Sequence, residues 1–131
     1  MSVDFSQLTN FLRGLERAAV NVEADLKAAA GRRARAVQAA AQSRLPRKGD
    51  TPYATGMMRE HVVVVEDEAR RQFRVEVEDI PGRDPLVPVY HEFGTVGTAA
   101  KPFLRPAVDE NRDSYIADAE RAVAQRLSEA G

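Results

Sequence analysis

Two histidines and a neighbouring glutamate are the side chains of this sequence that come nearest to a metal site. His91 and Glu92 begin like a zinc-protease motif, but that motif needs a second histidine four residues after the first, and position 95 is a threonine. His61 is the other histidine of the chain, and a histidine at the end of a strand is more often a polar surface residue. The sequence therefore predicts no histidine-rich metal site.

The segment from Gly94 to Lys101 holds two glycines and a lysine, as a phosphate-binding loop does. A Walker loop needs Gly-Lys-Ser/Thr leading directly into a helix, whereas Lys101 stands between Ala100 and Pro102. The chain has no Gly-x-Ser-x-Gly elbow and no cysteine, which excludes thiol nucleophiles, thiolate metal sites and disulfides. We expect a protein that is not an enzyme and needs no cofactor, because the residues of a toxin-like nuclease or another small enzyme are missing.

A basic segment over residues 32–48 is the sharpest charge feature of a chain whose net charge is −1. No acidic residue occurs between Asp25 and Asp50. The segment contains Arg32, Arg33, Arg35, Arg44, Arg47 and Lys48. Two interpretations stay open: a solvated helix face and loop, or a surface that contacts the phosphates of DNA.

Length and composition indicate one domain over residues 1–131 with a lean core. Hydrophobic residues make up 44% of the chain, but tryptophan is absent and many of the apolar residues are alanines, which bury little area. A lean core favours association with neighbouring subunits. The sequence shows no secretory leader and no apolar stretch long enough to span a membrane, so we expect a soluble protein with no membrane partner.

The elements that must position these residues follow from hydrophobic periodicity. Residues 4–44 are predicted to be helical, with Asp4 as the cap and a break or bend near Gly31. Apolar residues recur there at steps of three and four at Leu8, Leu12, Leu15, Ala19, Val22, Leu26, Ala29, Val37 and Ala40.

The rest of the chain predicts a small sheet and a second helix. Residues 45–56 form a basic loop, and residues 57–93 an antiparallel sheet of three to four strands, with residues 86–93 as an edge strand marked by Pro88. Residues 94–104 form a flexible loop, and residues 105–128 a C-terminal helix packed on the sheet. The fold class is α+β.

Three short motifs follow one another in the second half of the chain. They are Thr55-Gly-Met-Met-Arg59, Tyr90-His-Glu-Phe-Gly-Thr95 and Lys101-Pro-Phe-Leu-Arg-Pro-Ala107. In this order the chain resembles the small tailed-bacteriophage morphogenesis proteins of the neck, called tail-completion, tail-terminator or head–tail joining proteins. It departs from the family pattern at Met58, where leucine is usual, in the spacing of Tyr90 from Glu92, and at Ala100, where proline is common.

The resemblance implies a structural virion protein, assembled in the host bacterial cytoplasm, that forms a ring at the head–tail junction. Such a ring completes the tail and joins it to the head, with double-stranded DNA passing through the lumen. The implied partners are copies of itself, expected as a hexamer, the major tail protein and a head-closure or connector protein. A small DNA-binding module that uses the 32–48 segment is the alternative.

Two sets of residues are the predicted sites. Subunit contacts are expected at Tyr90, Phe93, Pro102, Phe103 and Leu104, on the predicted edge strand and the loop after it. For Phe103 a second interpretation is a plug over the sheet of its own subunit. The basic residues of the 32–48 segment are expected to face DNA or the lumen.

Overall fold

A computed structural model describes residues 6–51, 54–70 and 72–130 of the chain. Its elements are α1 (Ser6–Ser43), α2 (Met57–Glu60), β1 (Val62–Asp67), β2 (Gln72–Val77), α3 (Val87–Phe93) and α4 (Leu104–Ala130). The predicted α+β class, long first helix, antiparallel strands and C-terminal helix are confirmed. The predicted cap, Asp4, lies outside the described residues. Within them, no helix is long and apolar enough to cross a membrane.

The long helix α1 runs without a break through Gly31, so the break expected there is wrong. With 38 residues it is about 57 Å long. Gly31 is buried, and a Cβ atom at this position would lie 3.3 Å from the ring of Phe73 on β2. The glycine therefore weakens the helix locally but makes room for the hairpin to pack closely against α1.

The helix α4 runs antiparallel to α1, because three ion pairs join them in opposite sequence order. The pairs are Asp25 with Arg126, Arg33 with Asp118, and Arg44 with Glu110. Buried alanines, including Ala29, Ala34 and Ala41, lie along α1 and let neighbouring backbones approach closely. The alanine content that predicted a lean core is thus used for helix packing.

The strands β1 and β2 form an antiparallel hairpin with pairs from Val62–Val77 to Asp67–Gln72. The described residues contain two strands, so the predicted count of three to four is wrong. The hydrophobic core joins α1, the hairpin and the start of α4. It comprises Val37, Ala41, Leu45, Val62, Phe103 and Ala107, with Val75, Val77 and Leu104 packed around it.

The predicted edge strand at residues 86–93 is the helix α3. Pro88 occupies its first turn, where a missing N–H costs nothing, and the helix ends at Gly94. A short apolar run of this kind suits a strand or a helix, and the helical choice places Leu86, Val89, Tyr90 and Phe93 at steps of three and four. Pairing between subunits through an edge strand at this position is therefore not possible in this fold.

Candidate assembly surface

Glu92 is the buried charged residue that joins α3 to α4. Its side chain is 7% exposed. One carboxylate oxygen accepts hydrogen bonds from the backbone N–H groups of Phe103 and Leu104 at 2.8 and 3.0 Å, and the other from that of Arg105 at 2.9 Å. These donors lie at the start of α4, where a helix leaves its N–H groups without intrahelical partners. Glu92 therefore caps α4 from a different element.

The electrostatics of this cap favour the carboxylate form of Glu92. Burial by itself raises the pKa of Glu92, since it penalises the charged form. The three backbone N–H donors and the nearby Arg105 guanidinium outweigh burial, so the pKa of Glu92 lies below its ordinary value. Glu92 is thus a charged structural residue at neutral pH, which is a different role from that of a catalytic acid.

Further contacts surround this cap. The backbone N–H of Lys101 donates to the carbonyl of His91 at 2.8 Å. The rings of His91 and Phe103 meet edge to face with centroids 5.7 Å apart. The Arg105 guanidinium lies 4.7 Å from the centroid of the Phe93 ring, within cation–π distance. The second and third motifs of the sequence therefore form one interlocked unit, which we call the clamp.

Gly94 makes the turn that brings the two halves of the clamp together. Its φ of 76° and ψ of 178° are unfavourable for residues with a Cβ atom. A Cβ there would lie 2.7 Å from the backbone nitrogen of Ala100 and 2.8 Å from the carbonyl oxygen of Thr98. The loop that follows closes through a β-bridge between Thr95 and Thr98. Glycine is thus required at position 94 for space as well as for conformation.

The clamp presents an apolar surface to solvent. The side chains of Leu86, Val89, Tyr90 and Phe93 are each 41–57% exposed, and Val96 in the next loop is fully exposed. The first four lie at helical spacing on α3, so we call these five residues the α3 face. Several exposed apolar side chains on one short helix and the loop after it are a candidate contact site.

The predicted subunit-contact residues fall into two groups in the structure. Tyr90 and Phe93 belong to the α3 face, and Pro102 is an exposed residue of the clamp. Phe103 is 0% exposed and fills the core of its own subunit, and Leu104 packs against the same core. In this conformation Phe103 is therefore the plug of the second interpretation and does not face a neighbour.

The predicted DNA-facing residues also fall into two groups, one paired with α4 and one exposed. Arg33 donates to Asp118 at 2.8 Å, and Arg44 pairs with Glu110, so both hold α1 to α4. The hydrogen bond from Arg33 lowers the pKa of Asp118. The exposed members of the segment are Arg32, Arg35, Arg47 and Lys48. The basic segment is thus partly a structural element and does not form one continuous cationic surface.

The first motif of the sequence lies near the C-terminal end of α1, and its Met58 packs against the core that contains Phe103. Gly56 has a φ of 75° and precedes α2, and the carbonyl of Arg59 accepts a hydrogen bond from Gln42 at 3.1 Å. His61 follows, with its Nδ1 atom 2.6 Å from the carbonyl oxygen of Met57. Within the described residues, no three histidine, cysteine, aspartate or glutamate side chains cluster as metal ligands.

Comparison with known proteins does not assign the chain to a family. No protein-family model matches it, and neither a curated protein nor a solved structure does. What the chain can do must therefore be argued from its own geometry.

Sequence reasoning missed three members of the α3 face and the capping role of Glu92. Leu86 and Val89 were assigned to a strand, although residues 86, 89, 90 and 93 have helical spacing, and Val96 was assigned to the flexible loop at residues 94–104. Glu92 was considered only as a metal or catalytic partner of His91. The sequence feature that could have indicated the cap is the position of Glu92 shortly before Gly94 and before the helix start at Pro102-Phe103-Leu104.

Proposed function

We propose that this protein is a structural subunit of a tailed-phage virion that forms a ring at the head–tail junction. The observation that carries the proposal is the α3 face, a set of exposed apolar residues beside the hydrogen bonds and ring contacts of the clamp. Two of the three motifs behind the resemblance to neck proteins build this clamp. The ring completes the tail, joins it to the head and admits double-stranded DNA through its lumen.

The clamp supports an assembly role because it fixes the orientation of the exposed residues. A contact between subunits loses less free energy when the contacting side chains are already ordered. Tyr90 and Phe93 are aromatic, and aromatic residues are common at the energetically important centre of interfaces. A head-to-tail contact between the α3 face and a different surface of the next copy is heterologous, and with a fixed rotation it closes into a ring. We expect six copies.

The remaining exposed cations support passage of DNA better than recognition of a sequence. Arg32, Arg35, Arg47 and Lys48 are exposed along α1 and the following loop, whereas Arg33 is already paired with Asp118. Non-specific contacts to phosphates need only positive charge. They do not require a recognition helix in the major groove or a set of aromatic residues that stack on bases. We therefore propose the lumen role for these cations and keep the small DNA-binding module as the alternative. The major tail protein and a head-closure protein are the proposed neighbours above and below the ring.

The experiment is disruption of the gene in the phage that carries it, followed by electron microscopy of the particles. We expect DNA-filled heads and separate tails. The wild-type gene and Leu127→Ser should restore joined particles, whereas Phe93→Ser should not. Leu127 and Phe93 are both 57% exposed, so the pair controls for loss of surface apolar area. Joined, infectious particles without the gene would overturn the proposal.

A further inference from the structure

The strand β2 has one edge that does not face β1. The backbone N–H of Glu78 donates to the carbonyl of His61 at 2.9 Å, and the two residues lie opposite each other one step beyond the end of the ladder. Hydrogen-bonded pairs alternate along an antiparallel ladder, so every second residue of β2 directs its N–H and C=O groups away from β1. These residues are Phe73, Val75 and Val77, and we call their outward backbone groups the β2 edge.

The β2 edge is open, whereas the outer edge of β1 is occupied by α1. The Gln38 side chain on α1 donates to the outward carbonyl of Val62 at 2.9 Å, and Lys27 on α1 lies 2.9 Å from Glu66. Within the described parts of the chain, the outward groups of the β2 edge have no backbone hydrogen-bond partner. An unpaired strand edge is a template for a strand of another chain.

The two faces of β2 restrict which strand can pair there. Phe73 contacts α1 at Gly31, and Val75 and Val77 pack around the core, so this face is apolar. Arg74 and Glu76 alternate with these residues and therefore lie on the opposite face, where their side chains are 41% and 46% exposed. An added strand must match apolar residues on one face and one charge of each sign on the other.

The strand β2 meets this requirement itself when it is placed antiparallel to a second copy. With Val75 opposite Val75 of the second copy, Phe73 lies opposite Val77, and Arg74 lies opposite Glu76. The outward backbone groups of the three apolar residues then meet, and each such pair can exchange two hydrogen bonds. Backbone pairing, apolar contacts and charge complementarity therefore agree in one register.

The charges also exclude the neighbouring registers. A shift by two residues is the smallest that keeps outward backbone groups opposite each other. In one direction this shift places Arg74 opposite Arg74, and in the other it places Glu76 opposite Glu76. Like charges directly opposite destabilise a strand pair, whereas opposite charges stabilise it. Around a two-fold axis, the contact between Arg74 and Glu76 forms twice.

Arg74 has a hydrogen-bond donor that its own chain does not use. Its Nη1 atom donates to Asp67 at 3.3 Å, but its Nε atom is buried without a hydrogen-bond partner. Glu76 of the same chain lies 3.6 Å from Nε, which is close enough for an ion pair but too long for a hydrogen bond. A second carboxylate beside Arg74 would therefore add to the Asp67 contact without replacing it.

We propose that β2 pairs with β2 of a second copy of this chain and forms a four-stranded antiparallel sheet. The contact is isologous, so it differs from the heterologous contact of the proposed ring, and the α3 face takes no part in it. A single strand pair buries less area than a standard interface, so the dimer forms at high protein concentration. It covers an edge that is otherwise open to aggregation.

Cysteine cross-linking tests the register, because the chain has no cysteine of its own. Arg74→Cys and Glu76→Cys are prepared as separate full-length proteins and mixed in equal amounts under mild oxidation. In the proposed register their Cα atoms lie about 4.5 Å apart, which suits a disulfide. Within either protein alone, the two thiols of a dimer lie on a diagonal with Cα atoms about 7–8 Å apart, which is too far.

The mixture should therefore form a disulfide-linked dimer, and each protein alone should not. Arg70→Cys mixed with Glu76→Cys is the control, since Arg70 lies in the turn before β2 and its side chain is also exposed. Thermal melting checks that all three proteins are folded. Cross-linking of the mixture that does not exceed this control, or that is matched by Arg74→Cys alone, would overturn the proposal.

Reversal of the charges tests the same contact without a covalent bond. In the Phe93→Ser protein, which lacks the proposed ring contact, Arg74→Glu places two pairs of like charges in each dimer. We expect dimerisation about 10-fold weaker in sedimentation equilibrium at low salt, and addition of Glu76→Arg in the same chain should restore it.

Arg70→Glu is the matched control for this reversal, because Arg70 also pairs with Asp67 but lies outside β2. It should leave dimerisation unchanged. If Arg74→Glu dimerises as well as this control, or if the double charge reversal stays as weak as Arg74→Glu, β2 does not pair in this register.

Failure of this inference can be separated from failure of the ring. If Phe93→Ser lowers the mass to that of a monomer and the cysteine mixture does not cross-link, the β2 contact is wrong and the ring proposal stands. If Phe93→Ser leaves the mass of the oligomer unchanged and the cysteine mixture cross-links, the ring contact is wrong and the β2 contact stands.

Discussion

Replacement of Glu92 by glutamine tests the cap that joins α3 to α4. The amide keeps one oxygen that can accept hydrogen bonds. Its NH₂ group replaces the other oxygen and faces backbone N–H groups that had donated hydrogen bonds to the carboxylate. Hydrogen bonds to charged groups contribute about 1.5–3 kcal/mol and neutral ones about 0.5–1.5 kcal/mol. Because three donors share one side chain, their contributions do not add fully. We expect Glu92→Gln to lower the free energy of unfolding by about 2–3 kcal/mol at pH 7.

The stability difference between wild type and Glu92→Gln should also depend on pH in a defined direction. The pKa of Glu92 is lowered in the folded state, so its contribution is fully present above the unfolded value, about 4.3, and is lost as pH falls through the folded pKa. Burial and the nearby Lys101 ammonium lower the pKa of His91, whereas the Glu92 carboxylate raises it, and this interaction too is lost when Glu92 becomes protonated. The difference between wild type and Glu92→Gln should therefore shrink toward pH 3.

Urea unfolding followed by circular dichroism at pH 7, 5 and 3 measures this difference. Glu120→Gln, an exposed substitution on α4, is the matched control and should change the free energy of unfolding by less than about 0.5 kcal/mol. A Glu92→Gln protein as stable as this control at pH 7, or a difference that stays constant from pH 7 to pH 3, would refute the capping role.

Three further predictions concern the backbone and the basic segment. Gly94→Ala should destabilise the protein by about 3 kcal/mol through backbone strain and collision with the following loop, whereas Gly97→Ala, which has open space for a Cβ atom, should be nearly neutral in thermal melting. Gly31→Ala should change the free energy of unfolding by less than about 1 kcal/mol, because the gain in helix propensity opposes the close contact between the new Cβ atom and the Phe73 ring. Gly31→Leu should lower the free energy of unfolding by about 1–3 kcal/mol, because its larger side chain does not fit there. Equal melting temperatures for the two variants would contradict close packing of the hairpin on α1. Arg35→Glu with Arg47→Glu should weaken non-specific binding to duplex DNA and reduce its salt dependence without changing the melting temperature, and unaltered binding would show that these exposed side chains are a solvated face.

The first helix was predictable because its apolar residues repeat at steps of three and four over many turns. The C-terminal helix was expected at residues 105–128 and occupies Leu104–Ala130, with Pro106 in its first turn. The low helix propensity of glycine was not sufficient to predict a break at Gly31. Glycine in a helix interior lowers helix stability by about 1 kcal/mol relative to alanine, and packing easily offsets this amount. The ring that packs on this glycine comes from a residue more than forty positions away.

The strand predicted at residues 86–93 failed because eight residues hold too little periodicity to separate a strand from a helix. Pro88 is compatible with an edge strand and also with a first helical turn. The capping bonds from Glu92, which join α3 to α4, depend on a contact across eleven residues that composition does not reveal. Correct assignment of α3 would have placed Tyr90 and Phe93 together with Leu86 and Val89.

The charged residues illustrate the same limit. Arg33 and Arg44 looked equivalent to Arg35 and Arg47 in sequence, because all lie in a stretch without acids. Their carboxylate partners are on α4, and the antiparallel register of the two long helices decides which arginines are paired. That register depends on the path of the intervening chain and on alanine packing along α1.

The mass of the purified protein as a function of concentration tests the central claim most directly. Sedimentation velocity and native mass spectrometry of wild type, Phe93→Ser and Leu127→Ser should be compared under one set of conditions. We predict a closed oligomer for wild type and Leu127→Ser, expected as a hexamer, and a smaller but folded species for Phe93→Ser, whose melting temperature should fall by only a few degrees through loss of the Arg105 contact. A wild-type protein that stays monomeric at the highest concentration tested, or a Phe93→Ser protein with the same mass as wild type, would contradict assembly through the α3 face.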